Sequence, residues 1–197
     1  MKNGDIKFQD KKFDVNWKNY QSTGKRHLVN ILIRDHFSNC FYAEIHAIDL
    51  VPSIGDFLFN AWREKDHFEF CGIPKNLILG RHIIQQFPEI ENLRVNANLN
   101  VELAQNGFAT GIRSVRDWEN NIRYYSSFRN LKSLDDFQDN VEIICRALNL
   151  SESGKTEANL KKWMNNAPRG TVINDKQVFE SLFEQTKDKG NTIESKL

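Results

Sequence analysis

Cysteine is scarce: Cys40, Cys71 and Cys145 are an odd set without Cys-x-x-Cys spacing, each in or beside an apolar run. That excludes a disulfide framework and points to reduced core thiols in a cytosolic or nuclear protein. No stretch approaches the roughly 18 apolar residues of a membrane span, and Met1 to Asp10 is polar and charged with no apolar core. No membrane contact and no export signal are therefore expected. A surplus of charge is also missing. Lys plus Arg number 27 against 26 Asp plus Glu, a net charge of +1, so any nucleic-acid contact depends on local basic patches. There is no Walker loop, no Gly-x-Ser-x-Gly elbow, no His-Glu-x-x-His and no glycine-rich dinucleotide fingerprint, and the five histidines show no metal-ligand spacing.

What is present is a succession of short periodic segments. Lys12 to Tyr20 alternates apolar and polar residues around Asp14, and Gln21 to Gly24 supplies turn chemistry. Leu28 to Ile33 is a nearly continuous branched apolar run and Cys40 to His46 follows a polar turn, which predicts three antiparallel strands in a meander. After Pro52 and Ser53, Ile54, Phe57, Leu58, Ala61 and Trp62 recur at helical spacing. Gly72-Ile73-Pro74 breaks the chain before a short strand over Asn76 to Leu79, and the alternation of Leu93 to Leu99 predicts a fifth strand. Beyond Gly111 one helical stripe runs through Ile112, Val115, Trp118 or Glu119, Ile122 and Tyr125; another runs through Phe137, Val141, Ile144 and Leu148, with Ser133 and Asp136 as a cap. The composition then turns to Ser, Glu, Lys and Asn. The expected organisation is a core over residues 1–150 and a helical extension over 151–197, partly flexible at its end.

Several of these segments resemble the catalytic core of retroviral-type integrases and DNA transposases, of the ribonuclease H-like superfamily. FDVNW resembles the first strand of that core, and IRDHFSNCFYAEI the second and third strands around an Asp-x-Phe-Ser turn. FLFNAWREK followed by GIPKNLIL resembles the next helix and strand, and LKSLDDFQDNVEIICRALN the final helix. The match spans roughly residues 10 to 150 and implies an α/β fold, a five-stranded mixed sheet flanked by helices, with the helical extension added. It also implies two aspartates and a glutamate that hold two divalent ions, Mg or Mn, against a phosphodiester.

The acidic set is incomplete. Asp14 matches the first aspartate, with a strand Asp turned to solvent as the alternative. Where the second should end the strand after Gly72-Ile73-Pro74, the chain reads Leu79-Gly80-Arg81-His82. Imidazole is a poor stand-in for a carboxylate around a hard cation, so His82 reads as a helix-start or surface residue, and Arg81 brings the wrong charge. The third acid should follow Gly111 closely, where Arg113, Ser114, Val115 and Arg116 stand; Glu119 lies further on, on a pattern equally suited to an ordinary helix. Asp35 reads as a turn residue.

Arg113, Arg116, Arg123 and Arg129, with Tyr124 and Tyr125, suit phosphate contact and base stacking, or else a solvated face balanced by Asp117 and Glu119. Lys11, Lys12, Lys18, Lys25 and Arg26 form a second basic cluster. The resulting expectation is a domain of mobile-element descent that binds DNA or a protein partner without strand transfer and without a cofactor. One alternative is an active polynucleotidyl transferase using Mg or Mn, with Asp117, Glu119 or Glu102 as displaced acids. The other is a protein-interaction scaffold, with a homodimer or partner contact through Trp163, Met164, Phe179 and Phe183 of the extension.

Overall fold

The computed structural model describes residues 12–15, 26–47, 50–104, 118, 134–150, 157–166 and 170–185. Strands β1 (Lys12–Val15), β2 (Arg26–Arg34) and β3 (Phe41–Ala47) form an antiparallel meander, Asp14 opposite His27 and Asn30 opposite Ile45. A second, parallel pair joins β4 (Asn76–Leu79) to β5 (Asn100–Leu103). The fold is thus α/β, with five strands in two separate ladders among the described residues. The turn between β2 and β3 is built by Asp35. Its carboxylate accepts from the Ser38 amide at 2.7 Å and the Ser38 hydroxyl at 2.6 Å, and Asn39 takes the left-handed conformation at φ 61°.

Helix α1 (Ile54–Trp62) starts on a Ser53 cap, whose hydroxyl accepts from the Asp56 amide at 3.0 Å, and buries the apolar stripe read from the sequence. It covers one face of the meander, where Phe57 meets Tyr42 of β3 at 6.0 Å between ring centroids. Trp118 covers the other face. It is fully buried, sits edge-on to Phe41 at 5.7 Å and donates its indole N–H to Asn30 Oδ1 at 2.7 Å. Of the two residues at the ambiguous stripe position, Trp118 is therefore in the core.

The alternation over Leu93 to Leu99 does not become a strand. Pro88–Asn92 is a 3-10 turn running directly into the short helix α3 (Leu93–Asn96); the strand begins only at Asn100. Leu93 and Leu99 are buried but Val95, which the alternation would bury, is exposed, and Asn98 at φ 50° turns the chain. The period of two arises from a helical turn followed by a bend. The last long helix is likewise two pieces, α4 (Leu134–Asp139) and α5 (Val141–Leu150), parted where the Asn140 side chain donates through Nδ2 to the Asp136 carbonyl at 2.7 Å. Ser133 lies outside the described residues.

The outer edge of β3 has no strand beside it among the described residues. Alternate residues of an antiparallel strand direct their main-chain groups away from the partner; here side chains from α4 and α5 meet them. Asn149, fully buried, accepts from the Phe41 amide at 3.0 Å and donates to the Phe41 carbonyl at 2.8 Å. The Cys145 thiol lies 3.5 Å from the Ala43 carbonyl, and Gln138 donates to the Ile45 carbonyl at 3.1 Å. Three residues on two consecutive helices thus stand in for a neighbouring strand.

Helix α6 (Asn159–Asn166) sends Leu160 into the core and packs Trp163 on Phe70 at 5.4 Å; Met164 is exposed. Residues 170–185 carry helix α7 (Lys176–Ser181) back onto α1 and place Phe179, fully buried, against Phe59 and Trp62. No helix among the described residues is long and apolar enough to cross a membrane.

Candidate functional site

In a parallel pair the carboxyl ends of both strands open to the same side, where α/β proteins commonly place ligands. Leu79 is paired with Leu103, and the Ala104 amide continues the ladder by donating to the Leu79 carbonyl at 2.9 Å. Gly80 then turns the chain into helix α2 (Arg81–Gln86), with Arg81 exposed. Arg81, Glu102, Leu103 and Ala104 line an open cleft of about 490 Å3 there. Glu102 is also exposed, its carboxylate accepting from Asn100 Nδ2 at 2.6 Å. One guanidinium and one carboxylate can engage a phosphate or a polar backbone group. They do not supply the several oxygen ligands that a divalent ion demands.

At the end of β4, where the resemblance implies the second aspartate, stand Gly80 and Arg81, and His82 belongs to α2. Asp14 is placed by its backbone in β1, the outer strand of the meander, with β2 between it and β3; its side chain lies outside the described part. Glu119, Arg113, Arg116, Arg123, Tyr124, Asp117, Tyr125 and Arg129 lie outside the described residues, as do Lys11, Lys18 and Lys25. Among the described residues no three His, Cys, Asp or Glu side chains gather as a metal site.

A second cluster of polar groups has no counterpart among the expected site residues. Tyr42, Glu44 and His46 alternate along β3 and so share the face toward α1. The buried Glu44 carboxylate accepts from the Tyr42 hydroxyl at 2.7 Å and from Asn60 of α1 at 3.1 Å, and lies 2.7 Å from His46 Nε2. Gln138 of α4 lies 2.9 Å from His46 Nδ1 through the same nitrogen that donates to the Ile45 carbonyl. That amide is the donor, so His46 Nδ1 accepts and Nε2 carries the proton toward Glu44. Burial, then the Glu44 charge, push the Tyr42 phenol far above its ordinary range.

Lys65 sits beside this cluster with its ammonium 5.4 Å from the centre of the Tyr42 ring. It donates to the carbonyls of Ala61 at 2.8 Å, Arg63 at 2.9 Å and Phe70 at 2.5 Å, closing the end of α1 onto the following loop. Burial lowers its pKa to about 8. Among the described residues these groups bond to one another, and the cluster ties β3, α1 and α4 together. The signal in the sequence was the polar alternation Tyr42, Glu44, His46 inside an otherwise apolar strand.

No family model matches the chain, and neither a curated protein nor a solved structure matches it.

Proposed function

We propose that this chain is an integrase-like or transposase-like core of mobile-element origin that binds DNA without catalysing strand transfer. The observation that carries the reading is the close of β4: the strand runs directly into an exposed Arg81 on an open cleft, where the resemblance calls for a metal-binding aspartate. The order of elements supports it. A three-strand meander, a helix, a strand, two short helices with a 3-10 turn between them, and a parallel strand precede the α4 and α5 helices. Setting β4 beside β1 would join the two ladders into the five-stranded mixed sheet proposed here. A guanidinium at that position repels a divalent ion and attracts a phosphate, which favours binding over two-metal chemistry. Arg113, Arg116, Arg123 and Tyr124 are the proposed contacts to DNA, through phosphates and base stacking.

The test pairs a DNA shift assay at graded salt with calorimetric titration of Mg and Mn into the wild type and an Asp14→Asn variant, and a nicking assay on labelled DNA. Binding should weaken as salt rises. Each of Arg113→Ala, Arg116→Ala and Arg123→Ala should reduce the salt slope by about one. Metal-dependent nicking abolished by Asp14→Asn would establish the transferase reading, with Glu119 and Glu102 as the next acids to replace. Absence of DNA binding even at low salt would leave the protein-interaction scaffold, to which the near-neutral charge also inclines.

A further inference from the structure

Residues 170–185 behave in this structure as a ligand that happens to be covalently attached. The contacts described for the segment outside itself go to residues 53–96. Thr171 bridges Ile73, Asn174 and Glu64 exchange hydrogen bonds at 2.9 Å, and Lys176 pairs with Asp56 at 2.6 Å. Phe179 is sunk between Phe59 and Trp62, at 5.5 and 6.0 Å between centroids, with Phe183 packed on it at 5.7 Å. Two asparagines grip the main chain. Asn92 donates to the Phe183 carbonyl at 2.7 Å, and Asn96 to the Leu182 and Glu184 carbonyls at 2.9 Å each. Lys176 and Phe179 anchor α7 at i and i+3, and Phe183 follows in the turn just after the helix, an arrangement in which one face of a short helix and its exit lie in a groove. The six residues of α7 are too few to hold a helix unaided, so its order depends on the groove.

We propose that the groove between α1 and the Pro88–Asn96 segment is a docking site for this helix, filled by the chain's own residues 173–185 and, in a homodimer, by those of a second copy. The second copy is the occupant because it carries the one sequence seen to satisfy the groove at once through its aromatic pocket, its acidic rim at Asp56 and its asparagine clamp. The inference is independent of the DNA-binding reading. Intramolecular docking outcompetes the second copy because the tether keeps the segment at high effective concentration. Gly170 lies at the start of the docked segment: a Cβ there would lie 2.2 Å from the Ile73 carbonyl oxygen. Any larger residue must lift the start of the segment while leaving the Phe179 anchor intact.

The test uses the full chain with Gly170→Val, and a labelled peptide of residues 173–185 followed by fluorescence anisotropy. The variant should bind the peptide at least about tenfold more tightly than wild type, because its own segment competes less well. It should also sediment as a dimer at a concentration where wild type is a monomer, and adding Phe179→Ala should return it to a monomer. A variant that stays monomeric and binds the peptide no better than wild type overturns the proposal. Should Gly170→Val prevent folding, the wild-type peptide added to a Phe179→Ala chain, whose own segment has lost its anchor, decides. Saturable binding that the Phe179→Ala peptide lacks supports the groove; no binding by either peptide overturns it.

Discussion

Replacing Asn149 by alanine tests whether side chains can substitute for a strand. Both main-chain groups of Phe41 that point away from β2 are satisfied by this one amide, in a site with no exposure. Removing it strands a buried N–H and a buried carbonyl, each costing about 1–3 kcal/mol. The expected loss is about 4 kcal/mol, a large part of the roughly 5–15 kcal/mol that holds a typical domain together. Urea unfolding should show a lower midpoint at unchanged slope, and the melting temperature should fall by about 10 °C. Two controls separate hydrogen bonding from volume. Asn149→Leu refills the space without the polar groups and should remain destabilised by at least about 2 kcal/mol. Asn159→Ala removes, among the described residues, an exposed bond of 3.3 Å to the Asn39 carbonyl and should change stability by less than about 0.5 kcal/mol. If Asn149→Leu is as stable as wild type, or Asn149→Ala costs under about 1 kcal/mol, the edge-sealing argument fails.

Lys65 makes a pH prediction. Its folded pKa of about 8 lies below the unfolded 10.5, so between those values the unfolded chain binds more protons and stability rises with pH. Relative to Lys65→Met, the wild type should gain up to about 3 kcal/mol from pH 8 to 10.5 in parallel urea titrations, and a flat difference would contradict it. Glu44→Gln turns an amide toward groups that donate to Glu44 now, and should cost about 2–3 kcal/mol; Tyr42→Phe, which deletes one donor, should cost about 1 kcal/mol by the same denaturation assay. Arg146→Ala breaks a two-pronged pair with Glu69 whose side chains are 43 and 37% exposed, so its effect should stay under about 1 kcal/mol and vanish in high salt.

The elements legible in the sequence are those whose pattern is set locally. The branched run of β2, the stripe of α1 and the short NLIL strand lie where periodicity and punctuation placed them. The fifth strand was misread because Leu93 and Leu99 are buried for different reasons, one from a helical turn and one after a bend, and together they imitate alternation. The break at Asn140 depends on a side chain competing for a helical carbonyl, which apolar spacing does not register. At the candidate site, the run Gly80-Arg81-His82 after Leu79, with no carboxylate in it, was plain from the residues themselves. The Glu44 cluster was hidden because its closure comes from Asn60, 16 positions on, and from Gln138, 92 positions from His46. No local pattern announces that two distant amides will complete one strand's polar face.

The seal on β3 also sets a timetable. Phe41 and the asparagine that satisfies it are separated by 108 positions, which a ribosome takes about 5–20 s to cover at the usual pace of synthesis. Through that interval the hairpin of β2 and β3 can exist while its outer rim has no partner, and a nascent neighbour on the same message can pair with it. Premature termination before residue 149 would make that exposure permanent, so truncated products of this chain should be the species that associate through strands.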